Sequence, residues 1–212
     1  WGVKVSKRLT VLLLVGLAVF SIGVPVGTGR VSAAPISVLV SVLPQKYFVE
    51  RVGGEHVRVS VVVGPGQNPE TYDPTPKQMR ELSDAEVYFR IGVPFEQLWM
   101  DKWASLNPDM TVVDTRKGVP LRDIEAHVHE GGGRTVHDHH SDEKDPHIWL
   151  DPGLVKIQAQ TIYETLAQID PEHRSDYAEN LAGFLADLDE VDREIREKLS
   201  DLETRTMMVF HP

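Results

Sequence analysis

Short apolar runs alternate with short helical patterns between residues 34 and 123. The apolar runs are rich in β-branched residues and have the length of strands, so they predict strands at 36–42, 56–63, 85–91 and 110–113. Segments with helical spacing lie between them, at 45–51, 77–82 and 95–105. Strands that alternate with helices indicate a parallel sheet flanked by helices. The sequence therefore predicts an α/β lobe, which we place at 34–169.

Two longer helical patterns follow residue 152. The first, at 153–169, has apolar residues at spacings of three and four, which is typical of a helix with one buried face. The second continues this spacing from Tyr177 to Leu202, and Asp170-Pro171 supplies helix-start residues before it. We therefore predict one long helix at 170–204, roughly 50 Å in length at 1.5 Å per residue.

The long apolar stripe of this helix has two interpretations. A coiled-coil dimer is one, because the stripe repeats over about four heptads. A rigid helix that runs along one lobe and leads to another is the second. Tyr177 and Phe184 lie within the stripe, and the stripe is short for a coiled coil, so we favour the linking helix.

The first 33 residues differ from the rest of the chain. Lys4, Lys7 and Arg8 precede an apolar run at 11–26, and small residues surround Ala33. This is the layout of a secretory signal peptide, with an uncleaved anchor as the alternative because the apolar run is long. The chain contains no cysteine, so neither a lipid-modified cysteine nor a disulfide framework is predicted. Together these features indicate a periplasmic or otherwise extracytoplasmic protein.

Acidic residues dominate the remaining chain. Residues 1–33 contain four of the 22 basic side chains and none of the 32 acidic ones, so removing them would change the net charge from −10 to −14. Such a charge disfavours nucleic acid or an anionic membrane surface as a partner and suits a cationic ligand.

Histidines are concentrated in one polar stretch, at 125–145. Five of the nine histidines lie there: His127, His129, His137, His139 and His140. Three consecutive glycines at 131–133 predict a flexible loop. Imidazoles among acidic residues on such a loop would bind a divalent metal weakly and transiently. A solvated linker with incidental histidines is the alternative.

Three further candidate ligands each lie beside a proline: Glu70, His147 and His211. Each is near the end of a strand or extended segment, and the proline limits the freedom of the backbone, so metal binding loses less entropy there. A tight first-row metal site needs nitrogen or oxygen donors from such rigid segments. We therefore predict that these residues belong to a preorganised site and that the histidine-rich loop forms a weaker one.

Four motifs follow one another between residues 36 and 212. They are Pro65-Gly66-x-x-Pro69-Glu70-x-Tyr72-x-Pro74-Thr75-Pro76, the histidine-rich loop, Asp145-Pro146-His147-x-Trp149-Leu150-Asp151-Pro152, and the long helix followed by Val209-Phe210-His211-Pro212. In this order they resemble the zinc/manganese solute-binding proteins of bacterial ABC importers. The resemblance implies two α/β lobes joined by one long helix, a metal held in the cleft between them, and delivery of the ion to a membrane permease.

The resemblance also implies which residues bind the metal. His147 and His211 correspond to family ligands, whereas Glu70 stands where the family usually has histidine. Glu70 would either bind through oxygen or leave the position to water. The resemblance implies that residues 205–212 begin a second lobe that is largely absent from this chain, so a late acidic ligand would lie beyond Pro212.

The expected function is a monomeric metal-binding component of an ABC importer that captures Zn(II). The histidines favour zinc, while Glu70 favours a manganese-binding member of the same family, because carboxylate oxygen suits manganese. A metal-binding surface adhesin on the same scaffold is another alternative. A zinc hydrolase is disfavoured, because neither His-Glu-x-x-His nor His-x-His-x-Asp-His occurs in the sequence.

Overall fold

The computed structural model describes Trp1, residues 34–69, 71–123 and 144–204, and Thr206. The chain divides at Ala33, and the fold below is that of the unit beginning at Ala34. The predicted signal peptide apart from Trp1, the five loop histidines and nearly all of 205–212 lie outside the described residues. Within the described ranges, no helix has both the length and the apolar character needed to cross a membrane.

Four parallel strands form one sheet with the order β2-β1-β3-β4. The strands are β1 Ile36–Val42, β2 Val57–Val63, β3 Val87–Arg90 and β4 Thr111–Asp114. Val38 in the central strand pairs with Val59 on one side and Val87 on the other. The predicted parallel sheet is therefore confirmed. β3 begins two residues later than predicted, and the side chain of Asn107 donates to the Ala85 carbonyl at 2.8 Å.

Five α-helices accompany the sheet in the described ranges. They are α1 Leu43–Gly53, α2 Pro76–Ser83, α3 Pro94–Leu106, α4 Pro152–Ile169 and α5 Arg174–Ser200. Several begin with local signals that are visible in the sequence. Thr75 caps α2, and the Asp151 carboxylate accepts hydrogen bonds from the first backbone N–H groups of α4.

Both faces of the sheet are covered by helices. Val38, Val40 and Phe89 pack in one cluster with residues of α1, α4 and α5. Leu39 and Tyr88 belong to a second cluster with residues of α2 and α3. This explains why the central strand is almost continuously apolar, since a strand buried on both faces has no polar side.

The long helix begins four residues later and ends four residues earlier than the predicted span of 170–204. Asp170 ends α4, with its N–H bonded to the Leu166 carbonyl at 2.8 Å, and Pro171–His173 form a 3₁₀ turn before α5. The Asp170 carboxylate accepts from the Tyr177 hydroxyl at 2.7 Å and lies 2.6 Å from His173 Nδ1. It therefore binds side chains of the turn and of α5 instead of capping the long helix. α5 has 27 residues and a length of about 40 Å.

The apolar stripe of α5 has two different halves. Its first half is buried in the lobe, at Tyr177, Leu181, Phe184 and Leu188. In its second half, Val191, Ile195 and Leu199 are 40–54% exposed. The described lobe therefore covers the stripe only as far as Leu188.

Candidate metal site

His147 lies in a short turn that precedes α4. Ile148 N donates to the Pro146 carbonyl at 2.8 Å, and Leu150 N donates to the His147 carbonyl at 3.2 Å. The side chain of Ile148 is buried in the core beneath the turn, with 5% exposure. The imidazole is 27% exposed, so solvent reaches it. His147 is therefore held in a short structured segment between Pro146 and Pro152.

Asp145 contacts both the backbone and the ring of His147. Its Oδ1 accepts from His147 N at 2.9 Å and lies 2.7 Å from His147 Nδ1. Burial alone would raise the pKa of the Asp145 carboxyl, but the hydrogen bonds from His147 outweigh it and lower this pKa below its ordinary value. The ring centroid of Trp149 lies 5.1 Å from that of His147.

The loop after β2 is held on both sides of position 70. Phe95 N donates to the Pro69 carbonyl at 3.4 Å, and the ring of Tyr72 packs edge-on against that of Phe95. The Tyr72 hydroxyl also donates to Gln78 Oε1 at 2.7 Å. The residues before and after position 70 are therefore tied to α3 and α2.

Glu70, His211 and the five loop histidines lie outside the described residues. The predicted ligand set is therefore represented by His147 alone. Within residues 34–69, 71–123 and 144–204, no three histidine, aspartate or glutamate side chains are grouped so that they could hold a metal ion.

A buried carboxylate at the carboxyl ends of the strands was not predicted. Glu96, in the first turn of α3, is fully buried. Its Oε1 accepts from Ser41 Oγ at 2.5 Å and Ile91 N at 2.8 Å, and its Oε2 accepts from Gly92 N at 2.8 Å and Arg90 Nε at 3.3 Å. One side chain thus joins the end of β1 to the β3–α3 turn, at the sheet edge where parallel α/β folds place their ligands.

Tyr88 extends this network into the core. Its hydroxyl lies 2.6 Å from Ser41 Oγ, and because the Ser41 hydroxyl donates to Glu96, Tyr88 is the donor. Burial, together with the nearby charge of Glu96, raises the pKa of Tyr88 well above its ordinary value. The phenol therefore stays protonated and able to donate.

His56 and His173 lie against each other, with side chains that are 14% and 26% exposed. Their rings stack with centroids 3.9 Å apart. His56 Nε2 lies 2.9 Å from Asp176 Oδ2, and His173 Nδ1 lies 2.6 Å from Asp170 Oδ2. The two histidines therefore connect the start of β2 to the start of α5, a tertiary contact that their isolated positions in the sequence do not signal.

Comparison with known proteins identifies the family. Residues 38–212 match the family model described as ZnuA, zinc-uptake complex component A, periplasmic. The chain belongs to the ZnuA family. The sequence-based resemblance to zinc/manganese solute-binding proteins is thereby confirmed.

Three relatives show how far the similarity extends. A crystal structure of a zinc-bound ZnuA deletion mutant is 40% identical with a TM-score of 0.75, covering 84% of this chain and 64% of its own. A protein of Chlamydia trachomatis is 29% identical over 201 residues, 93% of this chain and 66% of its own length. The manganese-binding lipoprotein MntA of Halalkalibacterium halodurans is 27% identical over 163 residues, which are 76% of this chain and 49% of the length of MntA. The chain thus spans less than two thirds of the length of each of these relatives.

Proposed function

We propose that this chain is the N-terminal metal-binding part of an extracytoplasmic solute-binding protein. The protein captures Zn(II) and delivers it to the membrane permease of an ABC importer, and it acts as a monomer without catalysis. Family membership and the 40% identity to a zinc-bound ZnuA structure support this function. The structural observation that carries it is the preformed turn that holds His147 beside Asp145.

The proposed tight site contains His147, His211 and Glu70, with a fourth ligand from a second lobe. Two imidazoles and a carboxylate are a donor set that zinc accepts, at about 2.0–2.2 Å from the ion. Glu70 is included in the proposed ligand set because the residues on either side of it are anchored, Pro69 to α3 and Tyr72 to α2. In this proposal α5 links the two lobes, and residues 1–33 direct export.

Manganese is the second candidate cargo. A manganese-binding relative is 27% identical to this chain, and Glu70 supplies an oxygen donor, which suits manganese better than imidazole does. The two histidines favour zinc, so zinc remains the proposed cargo.

Replacement of His147 tests the site directly. In the full-length mature protein, titration calorimetry should detect one tightly bound zinc, and His147→Ala should weaken it by more than about 100-fold. This expectation follows because loss of a mere supporting contact already costs about 10–100-fold in metal affinity.

His173→Ala is a closely matched control for this experiment. Its side chain is 26% exposed, against 27% for His147, and its Nδ1 also lies beside an aspartate. It should leave zinc affinity unchanged. Equal zinc affinity in His147→Ala and the unmodified protein would contradict the proposed site.

The histidine-rich loop is proposed as an auxiliary site that captures zinc and raises its local concentration. Its five candidate ligands are His127, His129, His137, His139 and His140. Native mass spectrometry of the full-length protein should show weakly bound extra zinc ions. Deleting residues 125–143 should remove these ions and leave the tight one. Loss of the tight zinc in the deletion variant would instead place the loop in the main site.

A further inference from the structure

We infer that Asp145 is the positioning residue of the metal site. It fixes the proton of the His147 imidazole on Nδ1, so that Nε2 is the atom presented to the metal. The inference rests on the proposed function for the identity of the ligand, but the contact between Asp145 and His147 is a property of the described turn itself.

The chemistry of the contact determines which group donates. An ionised carboxylate has no proton and can only accept hydrogen bonds. The 2.7 Å approach of Asp145 Oδ1 to His147 Nδ1 therefore requires the proton to be on Nδ1. A neutral imidazole with its proton on Nδ1 carries its lone pair on Nε2, and any metal bound by this ring would be bound there.

One oxygen atom also sets the orientation of the ring. Asp145 Oδ1 accepts from the backbone N–H of His147 as well as from its ring. Pro146 lies between the two residues and restricts its own φ angle. The position of the carboxylate is consequently tied to the backbone of the residue whose ring it holds, which limits rotation of the imidazole.

Asp145 is itself anchored to the chain that follows β4. Its backbone N–H donates to the Arg122 carbonyl at 2.9 Å. The neighbouring Lys144 forms an ion pair with Asp123, and these two residues make an isolated antiparallel bridge. These contacts hold the segment that carries the orienting carboxylate against the chain after β4.

The first test reads the tautomer of His147 in the metal-free, full-length protein. Nitrogen-15 NMR of the histidine side chains at pH 8 should show His147 with its proton on Nδ1. Asp145→Asn should keep this tautomer, because the amide oxygen can still accept. Asp145→Ala should shift the population toward the tautomer protonated on Nε2. An unchanged His147 tautomer in Asp145→Ala would overturn the inference.

The second test measures zinc affinity by competition titration. Asp145→Ala should weaken the tight zinc by about 10–100-fold, the usual cost of removing a partner that orients a metal-binding histidine. Asp145→Asn should lose less zinc affinity than Asp145→Ala. Asp170→Ala is the matched control, because Asp170 makes the equivalent contact with His173 Nδ1 at 2.6 Å. It should not change zinc affinity, whereas a merely destabilising effect would appear in both alanine variants.

The two measurements separate failure of this inference from failure of the proposed function. If His147→Ala retains the tight zinc, the proposed ligand is wrong, and Asp145 cannot position it for metal. If His147→Ala loses the zinc while Asp145→Ala keeps both the tautomer and the affinity, the ligand stands and the positioning role is wrong.

Discussion

Replacement of Glu96 by alanine is expected to lower the free energy of unfolding by about 3–5 kcal/mol. Removing one partner of a buried charge pair costs this much, because the remaining polar groups stay buried without compensation. In this protein those groups are Ser41 Oγ and the N–H groups of Ile91 and Gly92, whereas the guanidinium of Arg90 is 26% exposed and keeps a 3.8 Å contact with Asp114. Denaturant unfolding at neutral pH, followed by circular dichroism, measures the loss.

Two further variants define what Glu96 contributes. Glu96→Gln keeps the shape and one acceptor oxygen but turns an amide NH₂ toward a backbone donor. Its free energy of unfolding should therefore lie between those of the unmodified protein and Glu96→Ala. Glu86→Ala removes an exposed carboxylate that accepts from Ser37 N at 3.0 Å. Its cost should be no more than about 1 kcal/mol. Equal losses for Glu86→Ala and Glu96→Ala would show that burial of the network contributes nothing.

Elements with strong local signals were predicted well. β1 was predicted at its observed bounds because a β-branched run buried on both faces has no competing pattern. α2 begins where its capping threonine and first-turn proline indicate. The start of α5 was missed because Asp170-Pro171 also suits a 3₁₀ turn. The choice between the two depends on contacts of Asp170 with His173 and Tyr177, which the local pattern does not reveal.

In the candidate site, too, features set by residues adjacent in sequence could be predicted, and features set by residues far apart in sequence could not. The turn around His147 was predictable, because prolines and apolar residues that are adjacent in sequence shape it. The role of Asp145 is also local, although only the structure shows that one of its oxygens contacts both the backbone and the ring of His147. The Glu96 network was not predictable, because Ser41 lies 55 residues away and an acid in the first turn of a helix is ordinary.

Phe184→Ala is expected to lower the free energy of unfolding by about 3–5 kcal/mol, the usual range for replacing a buried phenylalanine by alanine. The ring is 1% exposed, and its centroid lies 5.9 Å from that of Phe48 and 5.8 Å from that of Tyr47. The guanidinium carbon of Arg51 lies 5.0 Å from its centre. These contacts attach α5 to α1, so amide hydrogen exchange should show α5 opening more readily in the variant. Unchanged exchange in α5 would contradict this attachment.

Ile195→Ala is the control on the same stripe, and it also tests the proposed linking role of α5. In the chain of residues 34–212, Ile195 is 40% exposed, so its loss should change stability by no more than about 0.5 kcal/mol. In a full-length protein whose second lobe packs on this half of α5, the same substitution would empty a buried site and cost about 2 kcal/mol or more. Phe184→Ala should lower the free energy of unfolding by about the same amount in the chain of residues 34–212 and in the full-length protein, because the neighbours of Phe184 lie within the described lobe. A small effect of Ile195→Ala at both lengths would mean that the exposed half of the stripe contacts no second lobe, and the proposed two-lobed arrangement around α5 would be wrong.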